Sequence, residues 1–221
     1  MPPDFDWRRI DTVLLDMDGT LLDLNFDNHF WQEHVPQRYA EARGLSHAAA
    51  RDELATRYRC HAGTLEWYSV DFWQESLQLD IMRLKEEVAH LIAVHPEVIG
   101  FLAALRTSGK RVVLATNAHH KSLSLKMART GLAGYFDEMI TSHETGYPKE
   151  AAEFWAALRA RTGFDPATTL LVDDSLPVLD AAQAYGIARL ICVRQPDTRR
   201  PPNETGGYQA IDSFAEILPT R

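Results

Sequence analysis

Apolar positions along the chain follow two rhythms. Val13-Leu14-Leu15 is an unbroken apolar run that stops at Asp16-Met17-Asp18 and turns at Gly19-Thr20. A short apolar run closed by a turn predicts a fully buried strand, here over 11–17. From Asn25 to His95 apolar residues instead recur every three or four positions with few β-branched runs. That period predicts helices near 27–43, 47–60, 64–78 and 82–93, with Ser46 and Asp80 as helix starts and Gly44 as a helix end. No strand is evident in that span.

After His95-Pro96 short apolar runs alternate with helical patterns. Helix 97–108 leads to a strand at 111–115 ending in Thr116-Asn117. Helix 120–131 leads to a strand at 138–141. Helix 148–162 leads to a strand at 169–172 ending in Asp173-Asp174, and helix 176–185 to a strand at 188–193. Such alternation predicts βαβ units and a parallel sheet. The stretch 195–207 reads as a surface loop and 210–218 as a terminal helix.

A crossover between parallel strands needs only about a dozen residues, usually with its helix, yet the first strand ends near 17 and the second begins near 111. The helical block is therefore an insertion. The expected fold is α/β: a three-layer Rossmann-like parallel sheet core, residues 1–24 and 96–221, with an all-helical cap, residues 25–95. Ligands of such sheets lie at the C-terminal strand ends, so the insertion sits over the site, where it excludes water and grips a leaving group.

The chain has 221 residues, 45% apolar and 24% charged, enough for a core without disulfide or structural metal. The net charge of −8 argues against a nucleic-acid or anionic-membrane surface, though not against a local cationic pocket. Cys60 and Cys192 are far apart and read as free thiols of a reducing cytosol. The N-terminal residues lack the order of a signal peptide, and no apolar run approaches the roughly 20 residues that span a bilayer. A cytoplasmic monomer or weak homodimer is expected, with no nucleic-acid or membrane partner.

The strand ends offer Asp16 and Asp18, Thr116 and Asn117, Lys149, and Asp173 with Asp174, which a parallel sheet gathers along one edge. Four carboxylates in one place repel unless a cation neutralises them, and Mg²⁺ prefers oxygen ligands while keeping waters that a phosphate can replace. Lys149 supplies a second positive charge. It stands beside Pro148 at an expected helix start, where the helix dipole disfavours a cation by roughly 0.3–1 kcal/mol. Capping by the aspartates and a solvated lysine are the simpler readings of each residue alone.

Together, in this order, they resemble the haloacid dehalogenase superfamily over the whole chain. Asp16–Thr20 matches its Asp-x-Asp-Gly-Thr motif, Val112–Thr116 its strand ending in Thr or Ser, Lys149 its lysine and Leu170–Asp174 its paired acids. The resemblance implies Asp16 as nucleophile forming an aspartyl-phosphate, and Asp18 as acid and then base. It implies that Thr116 and Asn117 hold the phosphoryl group with Met17, Gly19 and Thr20, and that Lys149 neutralises charge. Asp16, the Asp18 carbonyl, Asp174 and Asp173 would hold Mg²⁺. A carboxylate at Asp18 points to phosphate esters, because the dehalogenases lack an acid there.

A narrower resemblance, to the bacterial GMP/IMP nucleotidases, rests on residues 11–24, Phe26-Asp27-Asn28, Phe30-Trp31, Thr64–Tyr68, Thr116–His119, Gly146–Glu150 and Asp173–Ser175. It implies dephosphorylation of purine 5′-mononucleotides, IMP and GMP. Phosphoglycolate, a sugar phosphate or FMN is the alternative substrate, phosphomutase the alternative activity, and a silent phosphoryl-binding module the alternative class. His119 is a substrate contact on this resemblance, or with His120 a polar loop pair. Phe30, Trp31, Tyr58, Trp67, Tyr68, Phe72 and Trp73 read as cap core, with one or two free to stack on a base. Asp23 and Asn28 either reach sugar or base or stabilise a turn.

Overall fold

Strand β1 (Thr12–Leu15) is buried along its whole length, as its unbroken apolar run requires. In this computed structural model, which describes residue 3 and residues 5–219, it is central to a six-stranded sheet ordered β3-β2-β1-β4-β5-β6. The others are β2 (Arg111–Thr116), β3 (Glu138–Thr141), β4 (Thr169–Asp173), β5 (Arg189–Val193) and β6 (Gln209–Ile211), all pairing in parallel. Thr12 lies between Arg111 and Thr169, and Leu15 between Leu114 and Val172. That register brings the ends of β1, β2 and β4 level, and with them the residues that follow.

Strand side chains alternate between faces. Val13, Leu15, Val112, Leu114, Leu170 and Val172 pack on one side of the sheet, while Leu14, Val113, Ala115 and Leu171 pack on the other. Each face is covered by helices that include α7 (Val98–Thr107) and α8 (His120–Thr130) on the first side and, after the single turn α9 (Ser142–Thr145), α10 (Ala152–Thr162) and α11 (Leu176–Tyr185) on the second. The core has three layers. No described helix is long and apolar enough to cross a membrane.

The helical block leaves and rejoins the core at one point. Leu22 pairs antiparallel with Val94, the Asp23 N–H donates to the Ala93 carbonyl and the His95 N–H to the Leu21 carbonyl. The block comprises α1 (Asn25–His29), a π-helical segment at Phe30–His34, α2 (Val35–Arg43), α3 (His47–His61), α4 (Leu65–Tyr68), α5 (Val70–Leu77) and α6 (Ile81–Glu87). It has its own core around Phe26, Phe30, Trp73 and Leu77. The Ser46 and Asp80 hydroxyl and carboxylate accept from backbone N–H groups at the starts of α3 and α6, and Gly44 ends α2 at φ +65°, as the sequence predicts.

The expected single helix over 64–78 is two. Ser69 is extended, and its hydroxyl accepts from the Phe72 N–H to start α5 afresh. The helix expected from 148 begins at Ala152, so Lys149 stands before it in a turn. The terminal helix expected at 210–218 is instead β6 followed by a 3₁₀ turn at Phe214–Ile217. Pairing along the open edge of β5 outweighs local propensity there, because Ile211 and Phe214 can then both reach the core. Loop 195–207 is irregular as expected, but it is tied to the block: Asn28 Nδ2 donates to buried Asp197 (2.7 Å), and Arg200 donates to Gln32 (2.6 Å).

Candidate active site

The level ends of β1, β2 and β4 bring Asp16, Asp173 and Asp174 into one group, one oxygen from each lying within 4.8 Å of the others. Lys149 reaches into it. Its ammonium donates to Asp16 Oδ1 (2.5 Å) and to the Ala115 carbonyl (3.0 Å), and lies 2.6 Å from Asp173 Oδ2. The turn that carries Lys149 is fixed at both backbone ends: its N–H donates to Asn117 Oδ1 and its carbonyl accepts from Trp155 Nε1. Lys149 is thus held by β2 and α10 rather than by a helix start, and the expected dipole cost does not arise.

One ammonium among three carboxylates, two of them buried and Asp174 half-buried, leaves a negative surplus. Burial raises Asp16 to about 6, with Lys149 pulling down and Asp173 pushing up. Asp174 rises well above the ordinary carboxylate range, through burial and then repulsion from Asp16 and Asp173. Asp16 and Asp173 together hold Lys149 above the usual amine range against the cost of burial. Gly19 lets Asp174 come in. A Cβ at Gly19 would stand 2.5 Å from Asp174 Oδ2, and its φ of +86° is one that side chains rarely adopt. Buried oxygen donors, surplus negative charge and this cradle fit a hard divalent cation such as Mg²⁺.

Asp18 belongs to a second cluster. Its Oδ1 accepts from Lys126 Nζ (2.6 Å), which also donates to Asp27 Oδ2 (2.6 Å). Lys85 Nζ lies 3.4 Å from the other Asp27 oxygen. Burial raises Asp18 to about 6 despite Lys126, with Asp27 and Asp16 adding to the rise. Lys126 and Lys85 hold Asp27 below its usual value against burial. A cavity of about 370 Å³ joins the two clusters and continues to Trp31, Tyr58, Trp67 and Tyr68 of the helical block.

A family model described as haloacid dehalogenase-like hydrolase matches residues 10–186, four-fifths of the chain. The chain belongs to the haloacid dehalogenase-like hydrolases. It is similar to the GMP/IMP nucleotidase YrfG of Escherichia coli, 38% identical over 97% of this chain and 96% of that one. Within the family it is a phosphatase, a hydrolase of phosphoric monoesters. Among solved structures, a HAD phosphatase from Thermococcus onnurineus shares the fold at a TM-score of 0.80 (24% identity, 94% of this chain and 96% of that one). So does the L-2-haloacid dehalogenase of Xanthobacter autotrophicus, at 0.66 (16% identity, 95% and 97%).

Of the residues expected in this hydrolase's site, Asp16, Asp18, Thr116, Asn117, His119, Lys149, Asp173 and Asp174 all line the cavity. Met17, Gly19 and Thr20 do not. Met17 is wholly buried in the apolar core, and Thr20 is buried with its hydroxyl unpartnered among the described residues. Thr116 Oγ1 accepts from the Ala118 N–H (3.0 Å), shaping the turn after β2. Asn117 uses both ends of its amide on the protein, donating to Glu150 Oε2 and accepting from the Lys149 N–H. Tyr68 of the block donates to the other Glu150 oxygen (2.6 Å). His119 is buried, pushed down to about 4 by burial and by its neighbours His120 and His143, and therefore neutral.

Lys126, Asp27 and Lys85 were not among the expected site residues. Their signal is present in the sequence as a lysine on an apolar helical face. Lys126 stands with Leu123 and Met127 at three- and four-residue spacing, and Lys85 with Ile81, Leu84 and Val88. A charge on the inward stripe of a helix requires a buried partner.

Proposed function

We propose that this phosphatase is a Mg²⁺-assisted 5′-nucleotidase that dephosphorylates purine mononucleotides, IMP and GMP, through Asp16. The observation that carries this reading is the single cavity that runs from the carboxylate–Lys149 cluster, past Asp18, to aromatic side chains of the helical block. Phosphoryl group, ester oxygen and an aromatic leaving group have that same order in a nucleotide. The likeness to a GMP/IMP nucleotidase over nearly the whole chain supports the purine assignment. Residues 25–95 act as a cap that covers the site and selects the leaving group.

In the first displacement an Asp16 oxygen attacks phosphorus while Lys149 neutralises charge on the carboxylate and the transferring group. The phosphorus–ester oxygen bond breaks, and the leaving oxygen takes its proton from Asp18, giving nucleoside and an aspartyl-phosphate. In the second, Asp18 takes a proton from water as that water attacks phosphorus, and phosphate leaves from Asp16. An acid raised to about 6 is well placed to serve in both directions near neutral pH. Thr116 and backbone N–H groups near Asn117 hold the phosphoryl oxygens, and Asn117 positions Lys149. Asp16, Asp173, Asp174 and the Asp18 carbonyl would hold Mg²⁺, whose charge would draw electron density from the phosphoryl oxygens. The half-buried aromatic wall keeps water from the leaving side.

A phosphate-release screen over nucleotides, sugar phosphates and phosphoglycolate, with and without Mg²⁺, tests the reading. IMP and GMP should rank first and lose turnover with chelator. Equal ranking with generic esters would defeat the nucleotidase assignment, and chelator-insensitive turnover would defeat the metal's role.

A further inference from the structure

Lys85 is a buried charge that the double displacement does not use. Its side chain is only 3% exposed, yet it lines the cavity. An ammonium has three N–H donors. Among the described residues Lys85 makes one hydrogen bond, a long one of 3.4 Å to Asp27 Oδ1. Asp27 is already engaged through its other oxygen with Lys126 at 2.6 Å. Three aromatic rings lie beside it: its Nζ lies 4.3 Å from the ring centre of Phe30, 5.1 Å from Phe26 and 5.5 Å from Trp31. Ring faces attract a cation but accept no strong hydrogen bond. Burial accordingly pulls Lys85 down to about 8, and the shared Asp27 offsets only part of that.

A buried ammonium with donors to spare is costly to the protein alone. It has a purpose if the cavity's occupant supplies acceptors. The order of groups says which part of the occupant that is. Asp18, at the ester oxygen, is bridged by Lys126 to Asp27, Asp27 approaches Lys85, and Lys85 faces Trp31 at the aromatic end. Lys85 therefore stands between ester oxygen and ring, the place of the sugar in a nucleotide.

We infer that Lys85, with Asp27 beside it, is a specificity-determining residue that binds the hydroxyls of the leaving sugar. Lys85 donates to hydroxyl oxygens, and the Asp27 oxygen next to it accepts a hydroxyl proton. The inference rests on the proposed reading for what lies beyond the ester oxygen, but it requires only a polyhydroxylated leaving group. Because Lys85 comes from α6 of the helical block, it reads the substrate from the cap side while Asp18 acts from the core side.

The test compares the full-length Mg²⁺-loaded wild type with Lys85→Met and Lys85→Gln on IMP, ribose 5-phosphate and p-nitrophenyl phosphate. The ratio of kcat/KM on ribose 5-phosphate to that on p-nitrophenyl phosphate should fall by about tenfold or more in Lys85→Met, mainly through KM, the size expected for a charge-assisted hydrogen bond. Lys85→Gln keeps an N–H donor and should fall less. An unchanged ratio, or a loss equal on the ester that has no sugar, would overturn the inference, as would a lower ratio in Lys85→Gln than in Lys85→Met. Thermal unfolding of each variant reports whether the fold is kept. The wild-type preference for IMP over ribose 5-phosphate judges the purine assignment separately and does not enter the ratio.

Discussion

Asp16, Asp18 and Asp174 carry opposing demands: Asp16 is buried and the other two are half-buried, each carries negative charge at neutral pH in ordinary surroundings, and Asp16 shares one ammonium with Asp173. Asp16 and Asp18 rise to about 6 and Asp174 rises well above the ordinary carboxylate range, all above their unfolded values. The folded site therefore keeps protons that the unfolded chain releases, and its contribution to stability falls as pH rises from the unfolded carboxylate range through about 6. A divalent cation needs the deprotonated carboxylates, so it competes with those protons. Thermal unfolding should show a Mg²⁺-induced rise in midpoint that is larger at about pH 7.5 than at about pH 5, where protons already neutralise the cluster. A shift of the same size at both values, or none, would contradict this electrostatic account. The cluster's members were legible because each ends a strand or opens the loop after it. The partner of Asp18 was not, since contact between the turn after β1 and α8 is a matter of packing that spacing alone does not give.

At the scale of elements, strong periodicity was reliable and local chemistry less so. The apolar runs of β1, β2 and β4 and the N-caps at Ser46 and Asp80 lie where the pattern put them. Ser69 broke an expected helix because a serine can either sit within a helix or cap one, and the pattern of apolar residues is the same in both cases. β6 was read as helix because three residues at a sheet edge owe their conformation to the neighbouring strand. Helix α8 contributes most to the site among the elements whose role was missed, through Lys126, 1% exposed and shared by Asp18 and Asp27. Removing one partner from a buried ion cluster costs about 3–5 kcal/mol. Lys126→Met should lose stability of that order in chemical denaturation and reduce kcat/KM by about tenfold or more, because the Asp18 carboxylate loses its anchor. A variant of near wild-type stability would show that Lys126 does not hold the two carboxylates.

For the molecule as a whole, the site lies where the helical block faces the sheet core, and side chains of the two are linked. Tyr68 reaches Glu150, Asp27 reaches Lys126, Asp71 pairs with Lys121, and Asn28 reaches Asp197. Each link has one end in the helical block and the other in the sheet core or its loops, so enclosure of the cavity is linked to the position of Asp18, through Lys126, and of Lys149, through Glu150 and Asn117. That helices fill the chain between β1 and β2 was legible from the length of that gap and the helical period within it. These links were not, because each joins residues far apart in sequence. What organises the whole is Asp16, at the end of the central strand, paired with Lys149 and open to the cavity. The direct measurement is rapid acid quench of the Mg²⁺-loaded enzyme turning over IMP, followed by mass spectrometry of the peptide that contains Asp16, beside the Asp16→Asn variant. The account predicts a phosphoryl adduct on Asp16 that forms before phosphate release reaches its steady rate, and a folded variant with neither adduct nor turnover. Phosphate release by the wild type without an adduct, or turnover by Asp16→Asn at the wild-type rate, would contradict it.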